Sequence, residues 1–551
     1  MFPRFLDFPH AHGEAIAGLC FRFKRKDFVI DDMGQLSCTP AMISKTYSLR
    51  FLTLVLALGS SLVARADVKL HGLFSDNMVL QRGATVPVWG WADDGEEVTV
   101  EFRDQKVTAK AKSGQWMVRL KKLKAGGPED LKVTGKNSVT LKNVLVGEVW
   151  IASGQSNMEF AMRDSFEAGK DIAASGNPMV RLYSVPKLKA NAPTNNVYAA
   201  WQECGPKTSP GFSAVAYYFA RDLQTALQVP VGVIHTSWGG SPAEVWMSER
   251  ALAANPSYQR DILDTYTDAL KRVPELIAQY EKEAAEAKEQ GKPFTKRRPG
   301  KPGWKPTELY NGMIAPLIPY AIQGAIWYQG ESNAGHAWQY RTLFADMIKN
   351  WRHDWGQGNF TFLEVQLAPF MAIKDEPAES AWAELREAQM LATKVLPKVG
   401  IAVITDVGEE KDIHPKKKEP VGARLALAAR AIAYGEKLVY SGPTYRSMKV
   451  RADKAIVNFD SVGGGLEAHE GDLKGFAIAG EDKRFVRAKA EIEGSQVVVS
   501  NPAVSKPVAV RYGWADYPVV NLWNKEGLPA SPFRTDDFPM ITAPKKAVTA
   551  K

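Results

Sequence analysis

Val149-Trp150-Ile151-Ala152 runs into Gly154-Gln155-Ser156-Asn157-Met158, and the reading of this junction decides the fold. A short, unbroken apolar run bounded by a turn suits a strand buried on both faces of a parallel sheet. The small-residue turn after it lifts one serine hydroxyl clear of that sheet. A helix starting there aims backbone N–H groups at any negative charge that develops beside the hydroxyl. The better-known Gly-x-Ser-x-Gly elbow is not satisfied, because Met158 stands where its second glycine would be. A serine at a strand-to-helix turn also serves simply as an N-cap, so the rest of the chain has to decide.

Outward from this junction, residues 148 to about 435 alternate strand-like and helix-like patterns. Apolar runs at 149–152, 180–184, 231–236, 322–328, 360–365 and 399–405 read as buried parallel strands. Between them, Val215, Tyr218, Phe219, Leu223 and Leu227 keep a three-or-four spacing, as do Tyr340, Leu343, Phe344, Met347, Ile348 and Trp351. The alternation predicts an α/β fold with a doubly wound parallel sheet. Residues 251–308 break the rhythm. Ile277 to Gln290 reads as a charged, solvated helix that leads into a basic Pro/Gly loop, so the segment is an inserted arm or a lid.

Both flanks are β in character. Residues 67–147 carry short alternating runs, such as Glu97-Val98-Thr99-Val100-Glu101-Phe102, at the spacing of a β-sandwich. Residues 436–551 return to strands such as Ala455-Ile456-Val457-Asn458-Phe459. The chain of 551 residues is thus long enough for several cores.

Phe51-Leu52-Thr53-Leu54-Val55-Leu56-Ala57-Leu58 is an apolar core too short to span a bilayer. It follows Lys45 and Arg50 and ends in Ala64-Arg65-Ala66, a small-x-small cleavage pattern. Residues 42–66 therefore read as a signal peptide that starts at Met42, with 1–41 an upstream extension and Asp67 the mature N-terminus. The expected location is secreted or periplasmic, with no stable membrane association after cleavage. Cleavage removes Cys20 and Cys38 and leaves Cys204 alone, so no disulfide is expected. The net charge of +9 drops to +6 without residues 1–66, and its positive residues are scattered, which argues against a nucleic-acid partner.

Ligands in open α/β sheets bind beyond the carboxyl ends of the strands, and four such ends carry polar, glycine-rich turns. The first holds Ser156. The second, Ser237-Trp238-Gly239-Gly240-Ser241-Pro242, has a Gly-Gly step that lets backbone N–H groups approach a substrate oxygen. The third, Gln329-Gly330-Glu331-Ser332-Asn333, offers the side-chain amides of Gln329 and Asn333 as uncharged donors to an oxyanion. The fourth runs from Asp406 to Pro415 and sets His414 among Asp406, Glu409, Glu410 and Asp412. An imidazole kept basic by a nearby carboxylate is the general base that a serine needs. No His-x-x-x-His pair or Cys cluster points to a metal.

Gly-Gln-Ser-Asn resembles the nucleophile block of SGNH (GDSL-type) hydrolases. Taken together, Gly-Gln-Ser-Asn-Met (154–158), Trp-Gly-Gly-Ser (238–241), Trp-Tyr-Gln-Gly-Glu-Ser-Asn (327–333) and Asp-Ile-His-Pro (412–415) are similar to bacterial sialate O-acetylesterases. The resemblance implies a serine esterase that needs no cofactor and takes an acetylated carbohydrate. It implies Ser156 as nucleophile, His414 as base, and an oxyanion hole from the N–H groups of Ser156 and Gly240 with Gln329, favoured over Asn333. The wider pattern places Asp three residues before His, where this chain has Lys411. Asp412 is then the candidate acid, or the site is a Ser–His pair with another orienter.

Overall fold

The structure is a computed structural model that describes residues 67–544. The expected upstream extension and signal segment, with Cys20 and Cys38, lie outside the described residues.

The strands of the central sheet are β1 (Ser138–Gly154), β2 (Asn177–Ser184), β3 (Gln202–Cys204), β4 (Val231–Ser237), β5 (Gly324–Tyr328), β6 (Thr361–Val365) and β7 (Val399–Ala402). They lie in the order β3-β2-β4-β1-β5-β6-β7. All pairs are parallel except β3 with β2, which closes one edge antiparallel. Order numbers that jump across β1 mark it as the place where the winding reverses, the usual site of a ligand crevice.

Alternate residues of β1 feed opposite cores. Val149 and Ile151 join one apolar cluster, and Trp150 and Ala152 join the other. On the second face pack α2 (Ala214–Leu227) and α6 (Glu419–Ile432), through Val215, Phe219, Leu223, Val421 and Leu425. On the first face pack α4 (Ala337–Trp355) and α5 (Ala381–Val395), through Tyr340, Phe344, Trp351 and Leu385. Helices cover both faces of a mostly parallel sheet, so strands without polar alternation are buried throughout.

β1 begins well before its apolar run. Its first half pairs antiparallel with Gly126–Thr134, and its middle pairs parallel with Val79–Gln81. Only from Glu148 onward does it pair with β4. The expected boundary at 147/148 therefore falls inside one continuous 17-residue strand. Val98, Val100 and Leu131 of the N-terminal β region share an apolar cluster with Trp327 and Phe344 of the α/β region. The C-terminal strands, by contrast, surround an apolar cluster of their own, with Val457, Ile478, Val499 and Tyr512 at its centre.

The segment 251–308 holds α3 (Thr265–Glu289), which has no buried residue. Its carboxylates neutralise the basic loop that follows: Lys296 pairs with Glu283 at 2.7 Å and Arg298 with Glu281 at 2.8 Å. Near the end of the segment, Trp304 packs edge-to-face on Trp238, with ring centroids 5.7 Å apart. The insertion thus touches a tryptophan beside the Ser156 turn.

Candidate active site

Gly154 makes the first turn possible. Its φ is +139°, and a Cβ there would lie 2.1 Å from the carbonyl oxygen of Tyr328. Only glycine lets β1 end this close to β5. The chain then enters α1 (Ser156–Glu159), a single helical turn whose first residue is the serine. An N–H at the start of a helical turn has no acceptor within it, which leaves that of Ser156 free for an anion.

His414 arrives from the opposite side. The loop after β7 is held by Arg424 of α6, which donates to both carboxylate oxygens of Asp406 at 2.6 and 2.8 Å and to the carbonyl of Val403 at 2.8 Å. This places His414 Nε2 2.8 Å from Ser156 Oγ. The two residues are 258 positions apart, at the ends of different strands, and the fold brings them into hydrogen-bonding contact.

The four carboxylates around His414 separate by partner. Asp406 is committed to Arg424, Glu409 accepts the N–H of Lys416 at 3.0 Å, and Glu410 accepts the N–H of Ile373 at 3.2 Å. Asp412 accepts the backbone N–H of His414 at 2.9 Å, and the same oxygen stands 3.6 Å from Nδ1. Burial lowers the pKa of His414, as does the nearby Lys418, while Asp412 pulls it the other way. The imidazole is therefore held neutral and able to accept a proton.

The glycine turn differs in detail from expectation. Gly239, not Gly240, abuts Ser156: a Cβ on Gly239 would lie 3.2 Å from that of the serine. Gly240 sits at φ +72° on the exposed side of the turn, and a Cβ there would meet no atom within 4 Å. The N–H of Gly239 donates to Glu159 at 2.6 Å, and Glu159 also holds Lys187.

The third turn also departs from expectation. Gln329 donates to the carbonyl of Ser241 at 3.2 Å and to Asn333 Oδ1 at 2.6 Å, and it accepts from Tyr340 at 2.9 Å. Asn333 in turn accepts the N–H of Ala243 and donates to Glu244. Both side chains are buried, and neither lines the cavity over Ser156. They tie the second and third turns together instead of facing a substrate, because the polar backbone of two buried turns needs partners there. His235, a strand residue, bonds Ser237 Oγ at 2.6 Å and is half-buried, and the desolvation of its ring pushes its pKa down to about 4.

Two residues that sequence reasoning passed over join this site from below. Asn157 lies against Glu331 and the carbonyl of Ile413, and Lys418 reaches Asn157 from the start of α6. The signal was present for both, since Asn157 adjoins Ser156 and Lys418 follows His414 by four positions. Above the serine is an open cavity of about 490 Å³ lined by Phe160, Arg163, Asp164, Lys187, Trp238 and Gly239. Its wall carries both signs of charge beside two aromatic rings.

A serine hydroxyl bonded to an imidazole, beyond the carboxyl ends of parallel strands and open to a polar cavity, is the arrangement of a serine hydrolase. Comparison with known proteins gives the family. A family model for carbohydrate esterases described as sialic acid-specific acetylesterases matches residues 300–431. The chain is 31% identical to a sialate O-acetylesterase of Rattus norvegicus over 495 residues, covering 81% of this chain and 89% of the relative. It is 29% identical to that of Homo sapiens over 532 residues, covering 88% and 95%. The crystal structure of a carbohydrate acetylesterase from Xanthomonas citri is 39% identical, covers 86% of this chain and 100% of its own, and superposes with a TM-score of 0.75. The chain belongs to the sialate O-acetylesterase family.

Proposed function

We propose that this protein is a serine esterase that removes O-acetyl groups from carbohydrates, with a sialate as the first substrate to try. The observation that carries the reading is the 2.8 Å contact between His414 Nε2 and Ser156 Oγ at the floor of the cavity, in a chain of this family. Ser156 Oγ attacks the acetyl carbonyl carbon as His414 takes its proton. The tetrahedral oxyanion forms against the N–H of Ser156 at the start of α1. Collapse expels the sugar hydroxyl, which leaves with the proton held by His414. Water, deprotonated by the same imidazole, then releases acetate from the acyl-serine. To Asp412, whose Oδ1 stands 3.6 Å from Nδ1, we assign stabilisation of the imidazolium in both steps.

The finer fold assignment, an SGNH-type hydrolase, rests on the Gly-Gln-Ser-Asn block and on the Ser–His pair. Export rests on the segment 42–66 alone. Sequencing the N-terminus of protein expressed from Met42 tests it: Asp67 is the expected first residue, and retention of residues 42–66 would overturn it.

The function is tested by acetate release from acetylated sialic acids, acetylated xylan and acetylated pectin. Ser156→Ala should abolish release from every substrate that the native protein hydrolyses, with an unchanged circular dichroism spectrum. Release at near the native rate would remove Ser156 from the chemistry.

A further inference from the structure

Beneath the Ser156–His414 pair lies a polar knot in which every donor and acceptor of one amide is used. Asn157 Oδ1 accepts from Lys418 Nζ. Its Nδ2 donates to Glu331 Oε1 at 2.6 Å and to the carbonyl of Ile413 at 3.0 Å. Asn157 is the residue after the nucleophile, and Ile413 is the residue before the base. A single buried amide therefore bridges the two chain segments whose relative placement sets the 2.8 Å contact above it.

Lys418 holds that amide in register. It is 1% exposed, and no carboxylate oxygen lies within ion-pair distance of its Nζ among the described residues. Its surroundings are the rings of Phe160 at 4.7 Å and Tyr328 at 5.4 Å. It stands immediately before α6, where the positive end of a helix disfavours a cation. The charged and titratable groups that face it are Glu331, from the third turn, and Glu409, Asp412 and His414, from its own loop. A buried amine without an ion pair is costly unless it has work to do.

We propose that Lys418 is a positioning residue for this reaction, which it serves by clamping Asn157 so that the nucleophile turn and the His414 loop keep their spacing. The inference rests on the reading of Ser156 and His414 given above. Burial brings the amine down to about 7, so it is charged in the acid range where His414 titrates, and its charge there adds to burial in lowering the pKa of the imidazole.

The test compares Lys418→Met, Asn157→Ala and the double variant in the full chain, with Ser156→Ala as control and a small acetyl ester as substrate. Each single variant should lower kcat by about tenfold or more with little change in KM, because placement and not binding is lost. The double variant should be no worse than Asn157→Ala, since both act through one amide. Lys418→Met should also move the acid limb of kcat/KM to higher pH, and Lys418→Arg should leave it in place. Native kcat with an unmoved acid limb in folded Lys418→Met would overturn the proposal, as would additive losses in the double variant. Should Lys418→Met not fold, Asn157→Ala decides alone: native kcat in that variant sinks the clamp. Activity in Ser156→Ala would instead overturn the underlying reading of the site.

Discussion

One oxygen of Asp412 serves His414 twice, accepting its backbone N–H at 2.9 Å and standing 3.6 Å from its Nδ1. The carboxylate is about half exposed, with 44% of its side-chain surface open. It fixes the loop more firmly than it fixes the ring. Asp412→Asn keeps an oxygen for the N–H but loses the charge. We expect turnover to fall by about ten- to a hundredfold, short of the roughly 10⁴-fold loss seen when a buried triad acid is neutralised. Steady-state kinetics on a small acetyl ester measure this. A 10⁴-fold loss would mean that Asp412 closes on Nδ1 once substrate binds.

The pH profile follows from the same imidazole. In the proposed mechanism His414 is the general base and works only when neutral, and burial together with Lys418 holds its pKa below the ordinary value. A depressed base stays deprotonated further into acid. The acid limb of kcat/KM should therefore lie below pH about 6.5, with a plateau through neutrality. His414→Ala should remove the limb along with nearly all activity. A limb above the ordinary imidazole value would contradict the geometry.

The two glycines of the second turn predict opposite phenotypes. Gly239→Ala places a methyl 3.2 Å from Ser156 Cβ and 3.4 Å from Glu159 Oε2. It should lower kcat by about tenfold or more, with a small change in thermal midpoint. Gly240→Ala meets no atom but is forced into φ +72°, and it should cost about 1 kcal/mol of stability at nearly native kcat. Paired melting curves and kinetics distinguish the two, and a catalytic defect in Gly240→Ala alone would restore the expected role of that residue.

Gln329 separates a structural amide from an oxyanion donor. Gln329→Ala strands the hydroxyl of Tyr340 and one acceptor on Asn333, so about 1–3 kcal/mol of stability should be lost. The activity of protein that remains folded should fall less than tenfold. A hundredfold loss of kcat at unchanged stability would place Gln329 in the oxyanion hole after all.

Much of this was written in local pattern. The runs at 149–152, 231–236 and 322–328 are strands that meet side by side, because four or more apolar residues bounded by glycine leave little choice in a two-faced core. The meeting of Ser156 and His414 was legible because each sits in a polar turn beyond a strand end. What local pattern could not carry was direction. Whether Gln329 points at a substrate or at Ser241, and which of Gly239 and Gly240 leans on Ser156, is settled by the neighbouring turn. The run of β1 through position 147 was hidden for a related reason. Its first half alternates like a half-solvated strand and its second half is uniformly apolar, so one strand in two environments read as two elements.

That shared strand limits how the protein can be cut. The residues that lead to Ser156 pair with Gly126–Thr134 and Val79–Gln81 before they reach the central sheet. The N-terminal β region is thus not a detachable accessory, and a shortened enzyme beginning near residue 148 would bare the apolar face that Val149 and Ile151 share with Val98, Val100 and Leu131. Recombination between relatives would have to exchange the N-terminal β region together with the serine turn, as one heritable piece.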